Sequence, residues 1–155
     1  MVFVIAKDLK HKWIEGGVLL GKMNFKCKSG EQVLLSEKSR LYIGVESMTH
    51  ADIRIASAEA MRVLNDKKIK SLKLGVYSGD SLYSGIKAMT EGFILGAYKF
   101  NKYKSKIEKQ YLDKIIICNE DYKSRKIDLK IAKKALKEGE IIEKKTNCTR
   151  DHFNQ

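Results

Sequence analysis

The sequence predicts an α/β domain, a three-layer α/β/α sandwich with a mixed, mainly parallel sheet. Three observations predict it. Short apolar, β-branched runs alternate with segments of helical periodicity, the pattern of βαβ crossovers. Ile115-Ile116-Ile117 is a continuous apolar run, as expected of a strand covered on both faces in a parallel sheet. Two further apolar runs flank Ser29-Gly30, so a hairpin is expected at one sheet edge.

The elements follow in order. Val2–Ala6 is β-branched and aromatic and reads as a strand. Residues 23–27 and 32–36 form the two arms of the hairpin, with Lys28-Ser29-Gly30-Glu31 between them. Leu41–Val45 is the next strand, and Gly44 lets another backbone pass close by. Thr49 then caps a helix, with Asp52 favouring its first turn. Ile53, Ala56, Ala60, Val63 and Leu64 recur at helical spacing on one apolar face. Arg54, Glu59, Arg62 and Asn65 fall outside that stripe.

Ser71–Tyr77 alternates, with Leu72, Leu74 and Val76 in phase, and is a strand. A helix over Ser84–Tyr98 carries Ile86, Met89, Phe93 and Ala97 on one side. Gly92 and Gly96 lie four apart within it. Each costs about 1 kcal/mol relative to Ala, tolerable where a neighbouring backbone must come close. Leu112–Cys118 is the last strand. A final helix spans Lys126–Thr146, with Leu129, Ala132, Leu136, Gly139 and Ile142 or Glu143 inward and Lys130, Lys133, Lys134 and Lys137 outward.

The chain is 155 residues long, 43% apolar and 32% charged, the composition of one soluble globular domain. No apolar run approaches the roughly 20 residues of a membrane helix. Residues 1–7 read as a buried strand rather than a leader, so a cytoplasmic location is expected. Cys27, Cys118 and Cys148 are widely spaced and form no CxxC pair, which argues for reduced thiols over a zinc knuckle or redox motif. The 31 basic residues outnumber 19 acidic ones for a net charge of +12, a field that favours anionic partners. The excess is mostly Lys, spread over almost every segment, which marks a solvated surface more than a groove.

The order of motifs resembles the amino-terminal domain of the leucyl (cytosol) aminopeptidases. The residues that carry it are Ser29-Gly30-Glu31 at the hairpin, Leu41–Glu46, and the Arg- and Ala-containing helix Ile53–Leu64. The spaced set Glu91, Gly92, Leu95, Tyr98 and Phe100 follows, then Asn147, Arg150, Asp151 and Asn154 at the end. The likeness covers about residues 15–155. His152 stands where the family has Leu, and the sequence stops at Gln155 before the Pro that the family pattern leads to expect. The resemblance implies a macro-domain-like sandwich over residues 1–155 as a single domain, with the carboxy-terminal catalytic domain absent. It places two divalent metals (Zn or Mn) and the catalytic residues in that absent domain, so no catalytic, cofactor or metal residue is assigned to this chain. It also implies two partners: the catalytic domain and other subunits of a hexamer.

Glu46, His50 and Asp52 can converge at a strand-to-helix turn as metal ligands; equally, Thr49 and Asp52 are helix-start residues and His50 an exposed loop residue. His11, beside Trp13, reads as solvated, and Trp13 as a packing anchor. His152 follows Asp151 without a nucleophile elbow nearby. The stretch Gly75–Gly85 follows a strand and opens a helix, as phosphate loops do, but lacks the P-loop Lys and the GxGxxG spacing. Met48, Met61 and Met89 read as core filler. The expected function is therefore a non-catalytic domain of a two-metal aminopeptidase, with a structural, assembly or access-shaping role. The alternative is a stand-alone basic module that binds nucleic acid or an anionic nucleotide.

Overall fold

The protein was analysed as a computed structural model, which describes residues 1–4, 9, 14, 16–77, 81–98, 110–117 and 128–153, the last twelve by backbone alone. Within these, the order is β1 (Val2–Val4), α1 (Gly17–Lys22), β2 (Gln32–Leu35), β3 (Arg40–Gly44), α2 (His50–Asp66), β4 (Ser71–Leu74), α3 (Leu82–Ala97), β5 (Lys114–Ile117) and α4 (Leu129–Phe153). The architecture is α/β. The strands form two ladders, β1-β3-β2 and β4-β5. β1 runs parallel to β3 with Val2 opposite Tyr42, and β4 parallel to β5 with Leu72 opposite Ile115. β2 runs antiparallel to β3, with Leu35 opposite Arg40. The sheet pairing is thus mixed and mainly parallel.

The period-2 alternation of strands explains where the core lies. Phe3, Leu41 and Ile43 point to one side and join the apolar faces of α2, α3 and α4 around Ile53, Ile86 and Ala135. Val2, Val4 and Tyr42 point to the other, where Ile14, Phe25, Cys27 and Leu20 of α1 cover them. Each such fully buried aliphatic or aromatic side chain contributes about 1.5–3 kcal/mol of transfer free energy.

The helices start and stop where local chemistry dictates. Thr49 Oγ1 accepts the Asp52 N–H at 3.3 Å at the start of α2. That helix ends because Lys68 takes a positive φ of 55°. Ser81 Oγ accepts the Ser84 N–H at 3.1 Å to start α3. Asp128 Oδ1 accepts the Lys130 and Ile131 N–H groups at 2.9 and 3.2 Å to start α4. The sequence expectation put that start at Lys126 and overlooked this cap.

Other expectations are corrected. Residues 23–27 form no strand, because Asn24 and Cys27 both take φ of 58°. The Glu31 carboxylate instead accepts the Lys26 and Lys28 N–H groups at 2.9 and 3.1 Å. The antiparallel edge pair is β2 with β3, joined through a 3-10 turn at Ser36–Lys38. The passing backbone expected at Gly44 is that of Cys27 and Lys28; a Cβ there would lie 2.3 Å from Lys28 O. β5 is not covered on both faces: Ile115 and Ile116 are each 40% exposed. Asn65 is buried, its Oδ1 accepting the Tyr111 N–H at 3.1 Å. On α4 the inward residues are Ala132, Ala135 and Gly139, while Leu129 is 72% exposed and Leu136 also reaches solvent. The helix continues past Thr146 through Arg150-Asp151 to Phe153. α1 was not foreseen. The expected ends of the first and last strands, residues 5–6 and 118, lie outside the described residues, as do the side chains of Ile142 and Glu143.

Candidate functional site

Across Leu82–Ala97 polar side chains are few, and Glu91 is the lone carboxylate. A carboxylate in such a helix must find a cation or bear the full cost of leaving water. The two glycines beside it decide which. A Cβ on Gly92 would sit 2.2 Å from Arg54 O, and one on Gly96 2.3 Å from Ala58 O. Only hydrogen fits at either position, so the α2 backbone lies directly on α3. That approach carries the first turns of α2 over Glu91, which is 3% exposed. His50 Nε2 lies 3.6 Å and Arg54 Nη1 3.9 Å from its Oε2, and both of these side chains reach solvent. His50 is therefore the first residue of α2 facing a buried acid, not the exposed loop residue expected. Beneath the crossing, Ser57 Oγ is buried with no hydrogen-bond partner among the described residues.

Two flanking clusters complete the helix layer. The Asp52 carboxylate accepts hydrogen bonds from Ser47 Oγ and, at 2.7 Å, from Thr49 Oγ1. Partial desolvation pushes its pKa up, but these hydroxyls and the Thr49 and Ser47 backbone N–H groups outweigh that and hold it below 3.8. Between α3 and α4, the Tyr83 hydroxyl donates to the Glu138 carboxylate. That hydrogen bond first, then desolvation and the negative charges of Glu138 and Glu91, push Tyr83 above 10.0. Lys87 and Lys134 each place Nζ 5.9 Å from the Tyr83 ring centroid. Gly139 of α4 seats beside Thr90 and Lys87 of α3.

None of this is a catalytic constellation. The ion-pair contacts to Glu91, at 3.6 and 3.9 Å, exceed the roughly 2.6–3.2 Å reach of proton transfer. Glu46, His50 and Asp52 do not converge: Asp52 is engaged by its own turn and His50 by Glu91. Among the described residues no three of His, Cys, Asp or Glu come together to hold a metal. Gly75, Val76 and Tyr77 are buried, and Ser81 caps α3, so this part of the glycine-containing stretch serves as a strand-to-helix connection; residues 78–80 lie outside the described residues. So do His11 and Trp13, Cys118, and the side chains of His152 and Cys148. Cys27, Met61 and Met89 are buried, and Met48 packs against the core. The part played by Glu91 was missed in the sequence; its signal was a single carboxylate in an otherwise apolar helix, next to Gly92.

With this geometry in hand, comparison with known proteins is informative. Residues 22–107 match the profile of the cytosol aminopeptidase family, N-terminal domain. A probable cytosol aminopeptidase of Wolinella succinogenes is 34% identical over 154 residues, covering 99% of this chain and 32% of that protein. One of Campylobacter jejuni is 37% identical over 127 residues, covering 81% of this chain and 26% of that protein. The chain thus spans about a third or less of the length of these relatives. Among solved structures, the bottromycin maturation enzyme BotP superposes with a TM-score of 0.67 at 20% identity, over 97% of this chain and 31% of that one. A tomato leucine aminopeptidase mutant superposes with a TM-score of 0.64 at 17% identity, over 80% of this chain and 25% of that one. At those identities the structural likeness bears on the fold. No helix among the described residues is long and apolar enough to cross a membrane.

Proposed function

We infer the function from one premise: this chain belongs to the cytosol aminopeptidase family, as its amino-terminal domain. It is the non-catalytic part of such a protein, and its role is structural. The observation that carries this reading is the near-complete alignment to a relative three times its length, together with the family match over residues 22–107. The complete protein is an aminopeptidase that releases amino-terminal residues from peptides in the cytoplasm. Its two divalent metals, zinc or manganese, belong to the catalytic domain. BotP, one of the structural neighbours, has been solved with Mn. The side chains described in this chain do not fit a metal pair, so no hydrolytic step is assigned to them.

What these residues do is hold a shape. The glycine-mediated contact of α2 with α3 and the Tyr83–Glu138 bridge to α4 make the helix layer one unit. The position of α1 on the opposite sheet face supports reading the domain as a macro-domain-like α/β/α sandwich. Such a body packs on the catalytic domain, contributes to a hexamer and shapes access to the active site. The test is direct. The purified chain, supplied with manganese or zinc, is expected not to hydrolyse leucine p-nitroanilide. Turnover above the metal-only rate that co-purifies with this chain would refute the reading.

A further inference from the structure

Among the described residues, β1 and β4 belong to separate ladders. The Met1 amino group donates to Lys73 O at 2.6 Å, which ties the starts of β1 and β4 together. A cleft of about 600 Å³ opens there, lined by the starts of β1, β3 and β4, the 3-10 turn after β2 and the end of α2. Its volume falls within the range of roughly 300–1,000 Å³ typical of small-molecule sites. Its wall is two-sided in chemistry. Leu64 and Leu72 belong to an apolar floor, while Lys38, Arg40, Lys73 and Ser71 supply cations and a hydroxyl. No carboxylate is found among the described residues that line it. Lys38, Arg40 and Lys73 also interact within the protein; what they bring to the cleft is the sign of its field.

We propose that this cleft is a binding site for a small amphiphilic anion: one phosphate or carboxylate head joined to an apolar body. The Arg40 guanidinium matches the planar geometry of such a head, a task for which a lysine is only a point charge. The Ser71 hydroxyl adds a neutral donor. The leucine floor accepts the aliphatic part, and a fully ionic ligand would leave that floor wet. The site lies at the amino ends of the strands, opposite the carboxyl ends where open α/β sheets ordinarily take ligands. It is therefore separate from the Gly75–Gly85 turn and from the Glu91 crossing, and it does not depend on the proposed role in an aminopeptidase.

The experiment is an NMR titration of the full chain with octyl phosphate below its micelle concentration. Inorganic phosphate and octanol serve as half-ligands. Octyl phosphate is expected to saturate one site with Kd on the order of 0.1 mM, the affinity a ligand of this size can reach. The amides of Arg40, Ser71, Leu72 and Lys73 should move. Each half-ligand should bind at least about tenfold more weakly, since each keeps one of the two interactions. Arg40→Gln and the solvent-exposed change Lys73→Gln should each weaken octyl phosphate several-fold. If Arg40→Gln fails to fold, Lys73→Gln and the map of shifted amides decide. Competition by phosphatidylglycerol vesicles would identify a membrane lipid as the natural source, and absence of competition a free metabolite; the site stands in either case. Perturbed amides elsewhere, or octanol binding as well as octyl phosphate, would overturn it. So would a single-stranded oligonucleotide that moves the same amides more tightly, since that is the behaviour of a polyanion surface.

Discussion

Ser57 and Glu91 share one helix crossing but make opposite demands on it. Ser57 Oγ is buried without a hydrogen-bond partner among the described residues, a cost of about 1–3 kcal/mol to the fold. Ser57→Ala removes the hydroxyl and keeps the Cβ, so stability should rise by up to about 1 kcal/mol, read as a higher urea midpoint with unchanged slope. Glu91 is different because the Arg54 guanidinium and the His50 ring face its carboxylate at 3.9 and 3.6 Å. Glu91→Gln keeps the shape and should cost about 1 kcal/mol or less. The double change His50→Ala with Arg54→Ala strands a buried carboxylate and should cost more, about 1–3 kcal/mol or above. The same urea series orders the three. Asp52 provides the pH-dependent case. Its folded pKa is depressed below 3.8, so its contribution is complete above that value and is lost as pH falls through the folded pKa. The stability difference between the chain and Asp52→Asn should accordingly shrink on acidification below pH 3.8.

At the scale of elements, legibility followed the length of the pattern. α2 and α3 were readable because each has several turns of apolar periodicity; Thr49 was read as the cap of α2, and the observed bounds of α3, Leu82–Ala97, differ from the expected Ser84–Tyr98 by one or two residues. The close approach at Gly92 and Gly96 was readable from spacing alone, since two mid-helix glycines have a cost that only contact explains. Residues 23–27 misled because their apolar content suits a strand, whereas positive φ at Asn24 and Cys27 is a tertiary choice no propensity records. Ile115-Ile116-Ile117 misled for a related reason: apolar continuity reports what a strand could bury, not what lies over it. The glycine ridge yields a sharp contrast. Gly92→Ala drives a methyl into the Arg54 carbonyl and should destabilise by about 1–3 kcal/mol or more. Gly21→Ala, on α1 with nothing within 4 Å, should be neutral or stabilising by up to about 1 kcal/mol. Thermal melts of the two variants test this directly.

At the scale of the whole molecule, side-chain packing joins the two ladders among the described residues. Phe3 of β1 meets Tyr77 beyond β4 with ring centroids 5.2 Å apart, and one cluster takes residues from both ladders. On β5, the successive residues Ile115 and Ile116 each leave apolar surface open. An exposed apolar strand is a template for association, even on a chain of net charge +12. Ile116→Lys should lower concentration-dependent light scattering on warming without a large change in melting temperature. The Glu91 crossing was the least legible part at this scale. Family motifs place Glu91 in a signature, but only the packed crossing shows that it serves as an anchor between helices.

The seating of α4 has a mechanical consequence. A helix rises about 1.5 Å per residue, so roughly 20 Å of rod runs from Gly139 to Phe153. A tilt of about 5° at the base would displace the far tip by nearly 2 Å. With Thr90 Cβ only 3.0 Å from where a methyl on Gly139 would go, one carbon atom at the fulcrum is enough to re-aim the lever, and anything attached to its end would inherit the error magnified.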